Sequence, residues 1–473
     1  MIKNKKSVST AVIVLLILGI VFASGCIKQE PETGFEWFQT GNTRPITQLQ
    51  PKESGELEDN RVAIFFNDLW NLQPEAFPDG VLDASHILEL GVKRARFAIN
   101  SLGVDEGVHW TKPENTIDPS HDNFITSLAD NGITMTYILS FWDKEYVAQG
   151  GEVNVPRFKT EEEIQRYLDF VQFIVHHFKD RIQYYEIWNE PEFRDSAGGY
   201  TIQSIEVEDY INLVERAVPV IKEEYPEAKI VVGGVGYLLF PECHDYLFSI
   251  LRSDIMPLVD VVEWHPMFGT SPEYNEEYYY NYPSLVQEIK DVASAHGFEG
   301  EYEGNELSWV ISEALLPGQP LYSETICAKY YARGIVMHLG MDVTTSQFYY
   351  VPNSGQPVQI VHTIQNLCTI MAGAEPVSVP IEIRSEAANI KSYSFSLSNG
   401  DKLLALWTDG VAVDDDPGMN ATLTFPGFSA QKVTGIDVLN GFEQELVTSM
   451  EDGSLVIPNL LVKDCPIILR LIP

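Results

Sequence analysis

Residues 161–191 read EEEIQRYLDFVQFIVHHFKDRIQYYEIWNEP, and two periods meet in them. From Glu161 to Lys179 the apolar side chains Ile164, Tyr167, Leu168, Val171, Ile174, Val175 and Phe178 recur three or four residues apart, which predicts one buried helix face. From Ile182 to Trp188 the run is short and apolar, which predicts a strand. A helix leading directly into a buried strand is one step of an alternating α/β chain.

The alternation extends in both directions from this stretch. Further strands are expected at Val62–Phe66, Val92–Ile99, Ile133–Leu139, Lys229–Val235, Val259–Trp264, Glu301–Asn305 and Thr344–Tyr350. Helical patterns recur at Val207–Glu224, Pro283–His296 and Ser323–Leu339. Eight strand–helix repeats over about 310 residues imply a (β/α)8 TIM barrel, placed at residues 59–376. A doubly wound open sheet is the alternative on spacing alone. No G-x-G-x-x-G follows a strand, which weakens a dinucleotide-binding version.

After residue 376 the period becomes two. Runs at Ile390–Leu397, Leu403–Trp407, Ala421–Phe425, Val433–Val438, Ser454–Ile457 and Pro466–Leu471 are separated by turns such as Asn399-Gly400 and Asn440-Gly441. Residues 377–473 are therefore expected to form an all-β sandwich domain.

The other end of the chain carries a different signal. Lys3, Lys5 and Lys6 precede an apolar run from Ala11 to Ala23 that is too short for a membrane span and suits a signal peptide. The run ends in Ala23-Ser24-Gly25-Cys26, which resembles a lipobox, with Ala23 where leucine is usual. The expectation is a signal peptide at 1–25, lipid attachment at Cys26, and anchoring to the outer face of the cell membrane. An uncleaved signal anchor and a plain secretory signal are the alternatives. Residues 26–58 are rich in Glu, Pro, Thr and Gln and read as a tether, with Trp37 and Phe38 as points of packing.

Composition narrows the partners. The chain has 473 residues and a formal net charge of −37. Phosphate binding needs a surplus of Lys and Arg, so nucleic acid is not expected. Acidic polymers are disfavoured unless a local basic pocket exists, and neutral substrates fit best. Cys243, Cys327, Cys368 and Cys465 are scattered without CxxC spacing, so neither a zinc site nor a particular disulfide is implied, and buried free thiols are expected. No metal or cofactor pattern is present, and nothing in the sequence sets an oligomeric state.

Strand four ends Tyr184-Tyr185-Glu186-Ile187-Trp188-Asn189-Glu190-Pro191-Glu192. Its Trp-Asn-Glu-Pro segment resembles the acid/base motif of the clan A glycoside hydrolases, nearest to families 39 and 5. The resemblance implies Glu190 as general acid/base and Asn189 as a partner of the sugar 2-hydroxyl. It also implies a nucleophile at the end of strand seven, in Glu301-Tyr302-Glu303-Gly304-Asn305-Glu306-Leu307-Ser308-Trp309. Glu306 is favoured there and Glu303 is its rival, because the strand register is not fixed by sequence. Arg96 resembles the strand-two arginine of the clan, although Arg94 shares its parity. His265, in Glu263-Trp264-His265-Pro266, resembles the strand-six histidine.

Trp142, Trp309 and Tyr349 are candidates for stacking on sugar faces. Tyr349 lies in Phe348-Tyr349-Tyr350, where many clan members have tryptophan. Two carboxyls are needed because one must donate a proton to the leaving oxygen while the other attacks as an anion. The implied function is retaining hydrolysis of β-glycosidic bonds in oligo- or polysaccharides. A catalytically inactive surface lipoprotein that binds carbohydrate, and a transglycosylase, are the alternatives.

Overall fold

The eight apolar runs become eight parallel strands: β1 (Val62–Asn67), β2 (Arg94–Ala98), β3 (Thr134–Ile138), β4 (Tyr184–Glu186), β5 (Lys229–Tyr237), β6 (Val261–His265), β7 (Glu301–Leu307) and β8 (Thr344–Phe348). Each pairs with the next, and β8 pairs back to β1, so the sheet closes as a barrel rather than staying open. The computed structural model describes residues 38–67, 84–98, 108–109, 116–117, 119–140, 157–193, 204–309, 318–348 and 358–473.

Helices alternate with the strands: α1 (Ser85–Glu89), α2 (Pro119–Asp130), α3 (Glu161–Phe178), α4 (Val207–Glu224), α5 (Pro241–Leu251), α6 (Glu276–Ala295), α7 (Glu324–Gly340) and α8 (Val358–Ile370). Helix α3 starts where Thr160 and Glu163 cap each other: the Thr160 hydroxyl accepts the Glu163 N–H at 3.2 Å, and Glu163 accepts the Thr160 N–H at 2.9 Å. Its predicted apolar stripe is buried, and Tyr167 reaches in to donate to the Leu139 carbonyl at 2.7 Å. Helix α6 begins seven residues before its predicted start at Pro283. The added turns bury Tyr279 and Tyr282, an aromatic stripe that outweighs the proline inside the helix.

The C-terminal region forms two antiparallel sheets. The larger contains β10 (Ile390–Ser396), β11 (Lys402–Thr408), β13 (Lys432–Asp437), β14 (Phe442–Glu445) and β17 (Ile467–Ile472). The smaller contains β9 (Glu382–Ser385), β12 (Met419–Phe425), β15 (Ser449–Glu451) and β16 (Ser454–Val462). Leu404, Leu406, Leu423, Phe425, Ile457 and Leu469 share one core between the sheets, which makes the sandwich.

The intervening residues of β11 point the other way. Leu403, Ala405 and Trp407 join the barrel's core, so this strand is covered on both faces. That explains the unbroken apolar run Leu403-Leu404-Ala405-Leu406-Trp407. Buried Lys329 and Arg333 of α7 seal the contact: Lys329 pairs with Asp464 at 2.7 Å, and Arg333 donates to the Asp464, Gly410 and Thr408 carbonyls.

Of the expected tether, residues 38–58 are described, and they pack on the fold, Phe38 among them. Ile46–Gln48 adds an antiparallel strand to the edge of β14, and the Phe38 side chain is buried in the sandwich core. Gln39 donates to the Val447 and Pro458 carbonyls. Backbone pairing and an aromatic anchor offset the entropy that a polar, proline-rich segment would otherwise retain. The signal segment 1–25 and Cys26 lie outside the described residues. Cys243, Cys327, Cys368 and Cys465 are free and buried.

Candidate active site

A strand of period two sends alternate residues into the barrel, and polar residues at those positions have no water to meet. Arg96 of β2 is fully buried and is held by carboxylates. Its Nε and Nη2 each donate to Glu186 at 2.7 Å, a bidentate pair with β4. Its Nη1 donates to Glu306 Oε1 at 3.0 Å, and Nη2 also reaches the Asn189 side-chain oxygen at 2.6 Å. Phe65 covers the guanidinium face at 4.8 Å. One cation therefore fixes residues from β4 and β7. Arg94, two residues earlier and one layer lower, is spent on Asp59 and Glu301 at 2.9 and 3.1 Å.

Glu190 follows β4, and its N–H donates to the Gly234 carbonyl at 2.7 Å. Trp188, Glu190 and Glu306 all have left-handed backbones, with φ of 69°, 46° and 57°. Side chains other than glycine take that region at a cost of about 1–3 kcal/mol each, and such strain collects at functional sites. Here it serves direction. Trp188 packs outward on Phe158 and Tyr167, while Asn189 and Glu190 turn to the mouth. In β7 the register against β8 shifts between Gly304 and Leu307, so Glu306 escapes strict alternation and joins the mouth. Glu303, the rival, faces a small cavity in the lower barrel beside Ala63, Arg94 and Thr134.

His265, at the end of β6, bridges the two carboxyls. Its Nδ1 lies 3.1 Å from Glu190 Oε1 and its Nε2 lies 3.5 Å from Glu306 Oε1. Oxygens of Glu190 and Glu306 and a ring nitrogen of His265 all lie within 4.8 Å of one another. These three are the one set of metal-capable donors of that size among the described residues, and the Arg96 charge against Glu306 opposes a dication there. Burial pushes the Glu190 carboxyl up to about 7, with Arg96 opposing the shift. Burial also raises Glu306, but the Arg96 charge pulls it down, and of the two acids only Glu306 takes a direct hydrogen bond from the guanidinium. Of the two, Glu306 is the better anion and Glu190 the better acid. Burial lowers His265, which is neutral near pH 7.

Two further acids lie beneath. Glu186 and Glu263 are wholly buried, and burial and the Glu186 charge raise Glu263 well above the usual carboxylate range, with Arg96 opposing. Asn305 donates to Glu263 Oε2. Gly234 makes room for the pair: a side chain there would meet Glu186 Oε1 at 2.8 Å and Glu263 Oε1 at 3.0 Å. Sequence reading assigned neither acid a role. The available signal was a carboxylate inside each of two apolar strand runs.

Trp309 is a correction. It is 1% exposed, donates from Nε1 to the Thr270 carbonyl at 3.0 Å and packs on Tyr330 and Tyr331, so it presents no face to a sugar. The turn after the β7 bulge sends it back onto α7, where mid-helix Gly334 leaves the space: a side chain there would meet Trp309 at 3.1 Å. Trp309→Ala should cost about 3–5 kcal/mol of stability in urea unfolding. Unchanged stability with a weakened KM would return it to sugar binding. Trp142 and Tyr349 lie outside the described residues.

A cleft of about 1050 Å³ opens over Glu190, His265 and Glu306 and runs past Tyr237 and Phe240. In fold the chain is similar to a family 39 glycoside hydrolase from the gut symbiont Bacteroides cellulosilyticus WH2, at 15% identity and a TM-score of 0.60 over 89% of this chain and 82% of that one. It is also similar to the catalytic domain of the family 30 xylanase C from Talaromyces cellulolyticus, at 11% identity and 0.55 over 90% and 98%. A glucosidase from Croceicoccus marinus gives 11% identity and 0.53 over 91% and 99%. At these identities the likeness is one of fold. No family model matches the chain, and no curated protein matches it in sequence.

Proposed function

We propose that the protein is a glycoside hydrolase that cleaves β-glycosidic bonds with retention of configuration. The observation that carries this reading is the pair Glu190 and Glu306, at the C-terminal ends of β4 and β7, with oxygens within 4.8 Å of each other. Retaining enzymes hold their carboxyls about 5–5.5 Å apart, whereas inverting enzymes leave room for a water. The glycosidases of the same fold named above add support by analogy.

In this mechanism Glu306 attacks the anomeric carbon while Glu190 gives its proton to the departing oxygen. The bond to the leaving sugar breaks as the glycosyl ester on Glu306 forms. Glu190, now ionised, takes a proton from a water whose oxygen attacks the anomeric carbon, and the ester bond to Glu306 breaks, which releases the sugar and restores both carboxyls. Asn189 has its side-chain oxygen committed to Arg96, which leaves its NH2 to donate to a sugar hydroxyl.

The acid form of Glu190 is the working form, and its pKa is raised to about 7. Activity should therefore hold below pH 7 and fall as pH rises through it. Glu190→Gln should remove that descending limb and lower kcat by about 10²–10⁴-fold on substrates with poor leaving groups, less on activated aryl glycosides. An unchanged alkaline limb in Glu190→Gln would assign the acid elsewhere.

Export with a lipid on Cys26 is part of the proposal, supported by Ala23-Ser24-Gly25-Cys26 after a short apolar run. The intact mass of the mature N-terminus tests it: a diacylglyceryl-bearing Cys26 is expected, and a retained leader would overturn it.

A further inference from the structure

Two tyrosines of α6 hold the residues on either side of His265. Tyr278 and Tyr282 stand one helical turn apart and so share a face. The Tyr282 hydroxyl oxygen accepts the Trp264 indole N–H at 3.0 Å, and the Tyr278 hydroxyl donates to the Pro266 carbonyl at 2.7 Å. Trp264 turns out of the barrel toward α6, and in a strand of period two that sends His265 inward.

A second helix completes the link. His338 of α7 is fully buried; its Nε2 lies 2.8 Å from the Tyr282 hydroxyl and its Nδ1 lies 2.6 Å from the Gly334 carbonyl. The protons of this chain have one arrangement. A carbonyl only accepts, so Nδ1 carries the ring proton. Burial holds the ring neutral, with its pKa lowered to about 4. Nε2 is then a lone pair, and Tyr282, whose oxygen already accepts from the indole, donates its proton there. The side-chain polar atoms of Trp264, Tyr282 and His338 are thus all paired, in a buried place where an unmet one is costly.

The His338 ring also sets the course of β7. Gly304 pairs with Trp264 across the two strands, and a side chain on Gly304 would meet the His338 ring at 2.8 Å and Pro266 at 3.2 Å. The β7 backbone therefore lies directly against the ring, at the start of the register shift that brings Glu306 to the mouth. Tyr278, Tyr282 and His338 are not among the described residues that line the cleft.

We propose that Tyr282 and His338 are positioning residues of the reaction centre: with Tyr278 they tie β6 to β7, which sets where His265 stands between Glu190 and Glu306. The effect on rate rests on the glycosidase reading, to which this adds the parts of the fold that keep the two carboxyls at working distance. His265 lies 3.1 Å from Glu190 and 3.5 Å from Glu306, and a displacement of about 1 Å at a reaction centre can cost about 10²-fold in rate.

The test is two measurements on Tyr282→Phe, which removes the shared hydroxyl and little volume. The first needs no substrate. In the heteronuclear NMR spectrum of histidine-labelled protein, one imidazole should stay protonated at Nδ1 alone between about pH 6 and pH 8, and should vanish in His338→Gln. The ring signals of His265, assigned by their loss in His265→Gln, should move in Tyr282→Phe. The second is kinetic. On an activated aryl β-glycoside, kcat per folded molecule should fall about tenfold while KM changes less than about twofold. Should Tyr282→Phe fail to fold, His338→Gln serves instead. It keeps an acceptor for the Tyr282 proton but removes the ring behind Gly304, and should slow 2-fluoro-glycoside labelling of Glu306 by about tenfold.

Lost stability with the His265 signals and kcat unmoved would make the chain a structural tie only and overturn the proposal. A ring at position 338 that carries its proton on Nε2 would overturn it as well. Signals of His265 that move in Tyr282→Phe, in a protein whose wild type hydrolyses no aryl glycoside, would uphold the positioning and overturn the glycosidase reading.

Discussion

Glu306→Gln is expected to lower kcat/KM on an activated aryl β-glycoside by about 10⁴-fold or more, and to abolish the glycosyl adduct that a 2-fluoro-glycoside leaves on the wild-type protein. The substitution is nearly isosteric. A glutamine oxygen can still accept from Arg96 Nη1, which Glu306 Oε1 meets at 3.0 Å, so the strand end should keep its place. What is lost is the anion, because an amide does not displace a leaving sugar from the anomeric carbon. Intact-mass measurement after exposure to the inactivator, followed by peptide mapping, reads the outcome. An adduct on Glu306 names both the nucleophile and the sugar. An adduct on Glu303 would move the chemistry down to a residue the structure places beside Arg94, and the register of β7 would have to change.

Arg96→Met is expected to destabilise the fold by about 3–5 kcal/mol, because removing one partner of a buried ion group leaves uncompensated charge behind. Arg96 donates twice to Glu186 beneath the mouth, once to Glu306 and once to Asn189, so one guanidinium ties the mouth to the layer below. Urea unfolding measures the loss. Glu186→Gln in the Arg96→Met background should recover part of it, since the two changes share one interaction and cannot be additive. Arg96→Lys should fall between, because an ammonium cannot reproduce the fork that spans Glu186. A loss below about 1 kcal/mol in Arg96→Met would mean that the carboxyls take up protons and relax, and that Arg96 does not hold the site together.

Local periods made the barrel legible. The stripe of α3 and the run into β4 fall where Ile164 to Phe178 and Ile182 to Trp188 place them. Strand order then follows from closure, because each parallel strand returns beside its predecessor. The placement of Glu190 after β4, of His265 at the end of β6 and of Arg96 on β2 was legible for the same reason. The choice between Glu303 and Glu306 was not, because it depends on a bulge and on a left-handed residue, which alternate-residue counting does not contain. Trp309 was misread because tryptophan after a strand looks the same whether it turns toward the mouth or onto Gly334 of the next helix. Glu186 and Glu263 passed unnoticed because their meaning comes from each other, across a barrel, and not from their neighbours in the chain.

The edge strand Ile46–Gln48 has a consequence for the order in which the molecule is made. Gln444 donates to the carbonyl of Arg44, 400 residues earlier, and β14 is synthesised almost last. At about 5–20 residues per second, the early strand emerges some 20–80 s before the edge it will occupy exists. The barrel can close during that interval, since its pairings run between consecutive strands, whereas the sandwich cannot bury Phe38. The first described residues of the chain are thus among the last to be tied down. Until they are, the outer edge of β14 is an open template for pairing with another chain.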